Sequence, residues 1–274
     1  MQDTILTFLP ALLCVLFCLC AMCILTLLQQ YKKISKRLAV LLALILIAVT
    51  SVYYFAVRLP QQQREARLEA ARLHFATLPV YRTIKTQQPA LYQTLLHEYL
   101  PAVASGESDT LAQANLRPML SELLSQRISY ASSEALNRYM QVSLEQMKVL
   151  RKENNELCFK FLFPQVSGGI DSSKTFPAAL REREMMAIDY FLQHSHGAEQ
   201  TGDADRYRAD LQNIVRKLYG KWGSDLQIMN APAEAGADKI KLCEMTIDLY
   251  QSVLALPANN SAGVLRIILD GNTR

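Results

Sequence analysis

The chain has 274 residues, half of them hydrophobic, and a formal net charge of +4 from 29 basic and 25 acidic side chains. Setting aside Asp3 and the four basic residues of one short loop leaves 25 basic against 24 acidic groups. So balanced a remainder excludes the basic stripe of a nucleic-acid-binding protein and gives no reason to expect adhesion to anionic lipid.

The apolar residues gather in two charge-free runs, 4–30 and 38–57. A helix rises about 1.5 Å per residue and the hydrocarbon core is roughly 30 Å thick, so about twenty apolar residues suffice to cross it. The sequence therefore predicts an N-terminal transmembrane hairpin over residues 1–57, with spans of about 5–29 and 38–57 and a basic loop over 30–37. The first run lacks a basic amino-terminal flank and exceeds the roughly 7–15 apolar residues of a signal peptide. Met22 before Cys23 does not fit a lipoprotein cleavage site either, so the run is expected to stay as a span. Cys14, Cys18, Cys20 and Cys23 within it are expected to pack as small polarisable side chains.

The flanks agree with this reading. Tyr31 closes the first span beside Lys32 and Lys33, and Tyr53 and Tyr54 close the second beside Arg58, as aromatic and basic groups do at a membrane interface. Lys32, Lys33, Lys36 and Arg37 crowd the loop, and four cations in a tight turn favour the cytoplasmic side. Arg58, Arg64, Arg67 and Arg72 pull the other way but are spread out. The expected topology is two-pass in a bacterial inner membrane, with the carboxyl domain extracytoplasmic.

Residues 58–78 read as an amphipathic linker helix, interrupted near Pro60, on the spacing of Leu68, Ala71, Phe75 and Leu78. Residues 79–274 then read as an all-α, bundle-like soluble domain with short loops. Leu91, Leu95, Tyr99 and Val103 mark a helix beginning beyond Pro89. Residues 111–130 suggest one helix bent at Pro118. Ser132 or Ser133 caps the helix of Leu136, Met140, Leu144, Met147 and Leu150. Residues 157–163 are apolar but too short to assign to helix or strand. Residues 164–175 are irregular, and a helix follows from about Pro177 to His194. Asp203 or Asp205 caps the helix of Tyr207, Leu211, Ile214, Leu218 and Trp222. Ile240, Cys243, Ile247, Tyr250 and Leu254 form the clearest stripe, and Val264 to Leu269 lie on a last short helix. Met140, Met147, Met185 and Met186 have the spacing of packing positions.

Cys158 and Cys243 are the only thiols of the soluble domain. In an oxidising compartment they either form a disulfide or stay as two independent buried thiols, and spacing does not decide between these.

The sharpest motif is Ser167-Gly168-Gly169-Ile170-Asp171-Ser172-Ser173. It resembles the phosphate loop of the ATP pyrophosphatase group, which includes asparagine and GMP synthetases. Glycines there let backbone N–H groups approach phosphate, and a following helix N-terminus adds its dipole. The resemblance covers seven residues and implies a buried strand leading straight into the loop. Pro164 ends the apolar run before the motif, Pro177 delays the next helix, and no strand–helix alternation follows. The residues themselves therefore read as a solvated Ser/Gly turn.

His194 and His196, with Glu199, Asp203 and Asp205 downstream, could ligate zinc in principle. Their spacing is that of an ordinary helix end, where the dipole favours His. No metal ligand set, cofactor site or catalytic group is assigned. The expected function is a non-catalytic, membrane-anchored interaction protein: a scaffold, assembly factor or accessory subunit of a cell-envelope complex. Its partners would be the lipid bilayer and other membrane or envelope proteins, with self-association open and nucleic acid excluded. The alternative is a membrane-tethered hydrolase or nucleotide-binding enzyme using the 167–173 loop or the His194/His196 region.

Overall fold

The computed structural model describes residues 35–230, 232 and 238–269, together with the helical positions Cys20, Cys23, Ile24 and Leu27. Among the described residues all regular structure is helical, as the periodicity predicts. Most of the first expected span lies outside them, as do Tyr31, Lys32 and Lys33. Among the described residues one helix is long and apolar enough to cross a membrane, so the structure supports one span and not the expected pair. The chain divides into two compact units, Met1–Glu69 and Ala70–Arg274, a division that falls inside the expected linker.

In the first unit, Ser35 caps α1 (Lys36–Tyr53) by accepting a hydrogen bond from the Leu38 N–H at 3.3 Å. A single π-helical turn, Tyr54–Arg58, leads into α2 (Leu59–Thr77). The expected interruption at Pro60 takes this form for a physical reason. Proline has no N–H to offer the carbonyl four residues back, and its ring crowds that carbonyl. Widening the turn just ahead of it, where the Leu59 N–H reaches back five residues to the Tyr54 carbonyl, lets the helix pass without a break. Leu41, Leu44, Ile45, Val52 and Phe55 are all exposed, and none of the apolar window is buried inside the protein. The Thr50 hydroxyl donates to the Leu46 carbonyl at 2.8 Å, which hides its polarity within the helix.

In the second unit, Pro79 and Pro89 open α3 (Pro79–Gln87) and α4 (Pro89–Ala104), the position where a missing N–H costs nothing. Phe75 of α2 stacks on Tyr81 at 3.9 Å and on Tyr99 at 4.5 Å between ring centroids, fixing this corner of the core. The helix expected over 111–130 is three pieces: α5 (Asp109–Ala114), α6 (Arg117–Arg127) and a 3-10 turn (Ile128–Tyr130). Pro118 sits in the first turn of α6, where its ring fits, and does not bend a longer helix.

The centre of the unit is α7 (Ser133–Glu153), capped by Ser132, whose side chain accepts from the Ala135 N–H at 3.2 Å. Residues 157–163 resolve as helix: α8 (Asn155–Leu162) begins where Asn154 accepts from the Glu156 N–H at 2.8 Å. Two short helices follow, α9 (Pro164–Ser167) and α10 (Ser172–Thr175). Then come α11 (Ala178–Gln193), α12 (Ala204–Trp222, capped by Asp203), α13 (Lys239–Leu254, capped by Asp238) and α14 (Ala258–Leu269). Helices α8, α11, α13 and α14 all pack against α7.

Candidate functional site

A cavity of about 980 Å³ opens between α6 on one side and α7 and α11 on the other, with residues 160–172 along its rim. It exists because α6 is kept off the α7–α11 layer, while the chain between α8 and α11 never forms a long helix that would fill the gap. Gly168 and Gly169 both adopt left-handed backbone conformations, with φ of 81° and 72°, which side-chain-bearing residues rarely accept. They turn the chain so that Ile170 faces the cavity. The Asp171 carboxylate then accepts from the Ser173 N–H at 3.0 Å and the Ser173 hydroxyl at 2.5 Å, starting α10. Those bonds, the hydroxyl's first, hold the Asp171 carboxyl below its ordinary value.

A covalent tie holds the rim. Cys158 on α8 and Cys243 on α13 are joined as a disulfide, buried, with Cα atoms 6.0 Å apart. That spacing lies within the range the bond requires.

The cavity wall is largely apolar, with Leu120 and Leu124 from α6 and Ile188 from α11. Polar groups are placed upon it. Arg117 of α6 pairs with Glu184 of α11 across the gap, both side chains largely withdrawn from water. Arg181 donates to the backbone carbonyls of Ser173 (3.1 Å) and Phe176, tying α11 to the rim. Tyr81 Oη and Gln146 Nε2 are buried in the wall without a hydrogen-bond partner. Such groups are rare in native interiors and cost roughly 1–3 kcal/mol each when nothing satisfies them. Burial raises the Tyr81 hydroxyl far above its ordinary value, and the Asp109 charge adds to this, so it is a neutral donor and not a phenolate. Tyr139, also lining the cavity, is raised by burial and then by the Glu184 carboxylate. What the arrangement offers chemically is a set of donors and two guanidinium groups over an apolar floor, which suits binding and orientation.

The structure scatters the other residues singled out from sequence. The 167–173 loop follows a four-residue helix and not a strand, and the Asp171 carboxylate is engaged in capping. His194 ends α11 with Nδ1 at 2.7 Å from the Tyr190 carbonyl oxygen and its ring stacked on Tyr190, while His196 is exposed. Neither lines the cavity. Among the described residues no group of three His, Cys, Asp or Glu is placed to hold a metal. Arg37 and Tyr53 are exposed on α1, and Tyr54 and Arg58 bound the π turn. Tyr81, Arg117 and Gln146 went unmarked because each comes from a different helix, and Glu184, whose run Arg181-Glu182-Arg183-Glu184 reads by its mixed charge as a solvated helix face, is instead largely buried against Arg117. The one local sign was Gln146, a polar residue between Leu144 and Met147 on the buried side of α7. No family model, curated protein or solved structure matches the chain.

Proposed function

We propose that the protein is a membrane-anchored, non-catalytic interaction protein, a scaffold, assembly factor or accessory subunit of a bacterial cell-envelope complex. The observation that carries this reading is α1, none of whose described apolar side chains is buried and most of which are exposed, so that they need lipid or a partner to cover them. The 5–29 run would complete a two-pass hairpin, and the basic residues between the runs would hold the loop in the cytoplasm. The Cys158–Cys243 bond supports the same topology, since such bonds persist in oxidising compartments. The helical domain would then present its faces to envelope partners or to a second copy.

Affinity purification of the full chain from native membranes, in mild detergent, tests the reading. An envelope protein or second copy is expected at fixed stoichiometry, with a carboxyl-terminal tag cleaved by protease in intact spheroplasts. Recovery of the chain alone as a monomer would refute the interaction role. A tag protected until lysis would reverse the topology.

A further inference from the structure

We propose that the cavity between α6 and the α7–α11 layer binds a single-chain amphiphilic acid, with its anionic head at Arg117 and its chain along Leu120, Leu124 and Ile188. This goes beyond the interaction role and does not depend on it.

Three features point to that class. The volume, about 980 Å³, lies at the upper end of the range typical of small-molecule sites. The groups left over in the wall all have the same sign. Gln146 Nε2 is a donor and the neutral Tyr81 hydroxyl can act as one, so what is missing is an acceptor. The wall's charges balance, since Arg117 and Arg181 face Glu182 and Glu184 and Lys160 pairs with Glu156 at 3.6 Å, so an occupant is called for by the unpartnered donors and not by a surplus charge.

The third feature is the Arg117–Glu184 pair itself. It spans the cavity, and Glu184 engages only Nη2 of Arg117, so the remaining guanidinium N–H groups can bind a ligand carboxylate while Glu184 stays paired. A free inorganic anion would satisfy the head but leave the largely apolar part of the cavity, lined by Leu120, Leu124 and Ile188, without an occupant. A nucleotide would bring several negative charges to a wall where Arg117 and Arg181 are already matched by Glu182 and Glu184. An acyl chain with one acidic group fits both halves.

The test uses the full chain in lipid nanodiscs, photolabelled with palmitate carrying a chain diazirine, and maps the adducts by mass spectrometry. Label is expected on peptides of α6 and α11. Excess palmitate should displace it and excess hexadecanol, which has the chain without the charge, should not. Leu124→Trp, which fills the floor, should cut cavity labelling about tenfold while leaving labelling of α1 unchanged. The double variant Arg117→Leu with Glu184→Gln, which removes the pair without stranding a carboxylate, should abolish the preference for acid over alcohol. Circular dichroism and an intact Cys158–Cys243 bond confirm that each variant is folded, and the competition arm on the unaltered protein stands if one is not. Label confined to residues 38–57, equal competition by hexadecanol, displacement by inorganic phosphate, or labelling indifferent to a folded Leu124→Trp would each overturn the proposal.

Discussion

Where α14 packs against both α7 and α12, the helical domain is packed to contact, and of its buried side-chain polar atoms among the described residues only Arg266 Nε lacks a partner. Gly263 of α14 lies so close to Tyr207 of α12 that a Cβ there would come within 2.4 Å of the ring. The Ser261 hydroxyl donates to Asn137 Oδ1 and Asn137 Nδ2 donates to the Ala258 carbonyl, each at 2.8 Å. At the cavity the same domain is built differently. The helices are short, two glycines take left-handed conformations, and two buried polar atoms lack partners. Across the gap the chain is held by the Arg117–Glu184 pair, while the Cys158–Cys243 bond and the Arg151–Glu244 pair between α7 and α13 tie the adjoining cluster of Leu144, Met147, Leu150, Phe176 and Leu180.

If that division holds, the largest effect belongs to the disulfide. It closes a sequence separation of 85 residues, for which the chain-entropy argument gives about 4.5 kcal/mol. Cys158→Ser with Cys243→Ser should lower stability by that order in denaturant titrations, as reductant should for the unaltered protein. Limited proteolysis should then cut first within residues 155–176, while α12 and α14 stay protected. Identical unfolding with and without reductant would show that the link does not hold this end.

The packed end should break by crowding. Gly263→Ala forces the Tyr207 ring to move, and overfilling a tight contact costs roughly 1–3 kcal/mol. Tyr207→Leu introduced beside it should recover most of the loss, which a double-mutant cycle in thermal or chemical unfolding would show. A loss that Tyr207→Leu leaves untouched would mean that a contact other than the Tyr207 ring is responsible, since Gly→Ala within a helix by itself favours the helix.

How much of this was legible in the sequence follows the same boundary. The start signals at Ser132, Asp203 and Pro89 are local, and each stands at a helix start. The stripe on α13 was legible too, except that Ile240 is exposed in its first turn, where the packed face has not yet begun. Residues 111–130 misled because their apolar spacing continues across the break at Asn115 and Leu116, where Leu116 is fully buried although it lies between helices. The cavity was illegible: Tyr81, Arg117, Gln146 and Glu184 meet through tertiary packing, which no window along the chain samples.

The smallest effect concerns Asp171, at the loose end. Its carboxyl is held below the ordinary value of 3.8 by the Ser173 hydroxyl first, opposed by partial burial, with Lys174 and the Ser173 N–H adding to the lowering. A depressed carboxyl contributes stability that is complete above its unfolded-state value and is lost as pH falls through the lower, folded-state one. Asp171→Ala should therefore cost about 0.5–1 kcal/mol near pH 7, the ordinary worth of a partly exposed cap. Asp171→Asn, which keeps an acceptor for the Ser173 N–H, should cost less. The gap between wild type and Asp171→Ala in urea titrations should narrow as the buffer is taken below the ordinary carboxylate value. A gap that stays constant into acid would mean that the carboxylate's charge does not contribute, and that the two left-handed glycines shape the rim by backbone conformation alone.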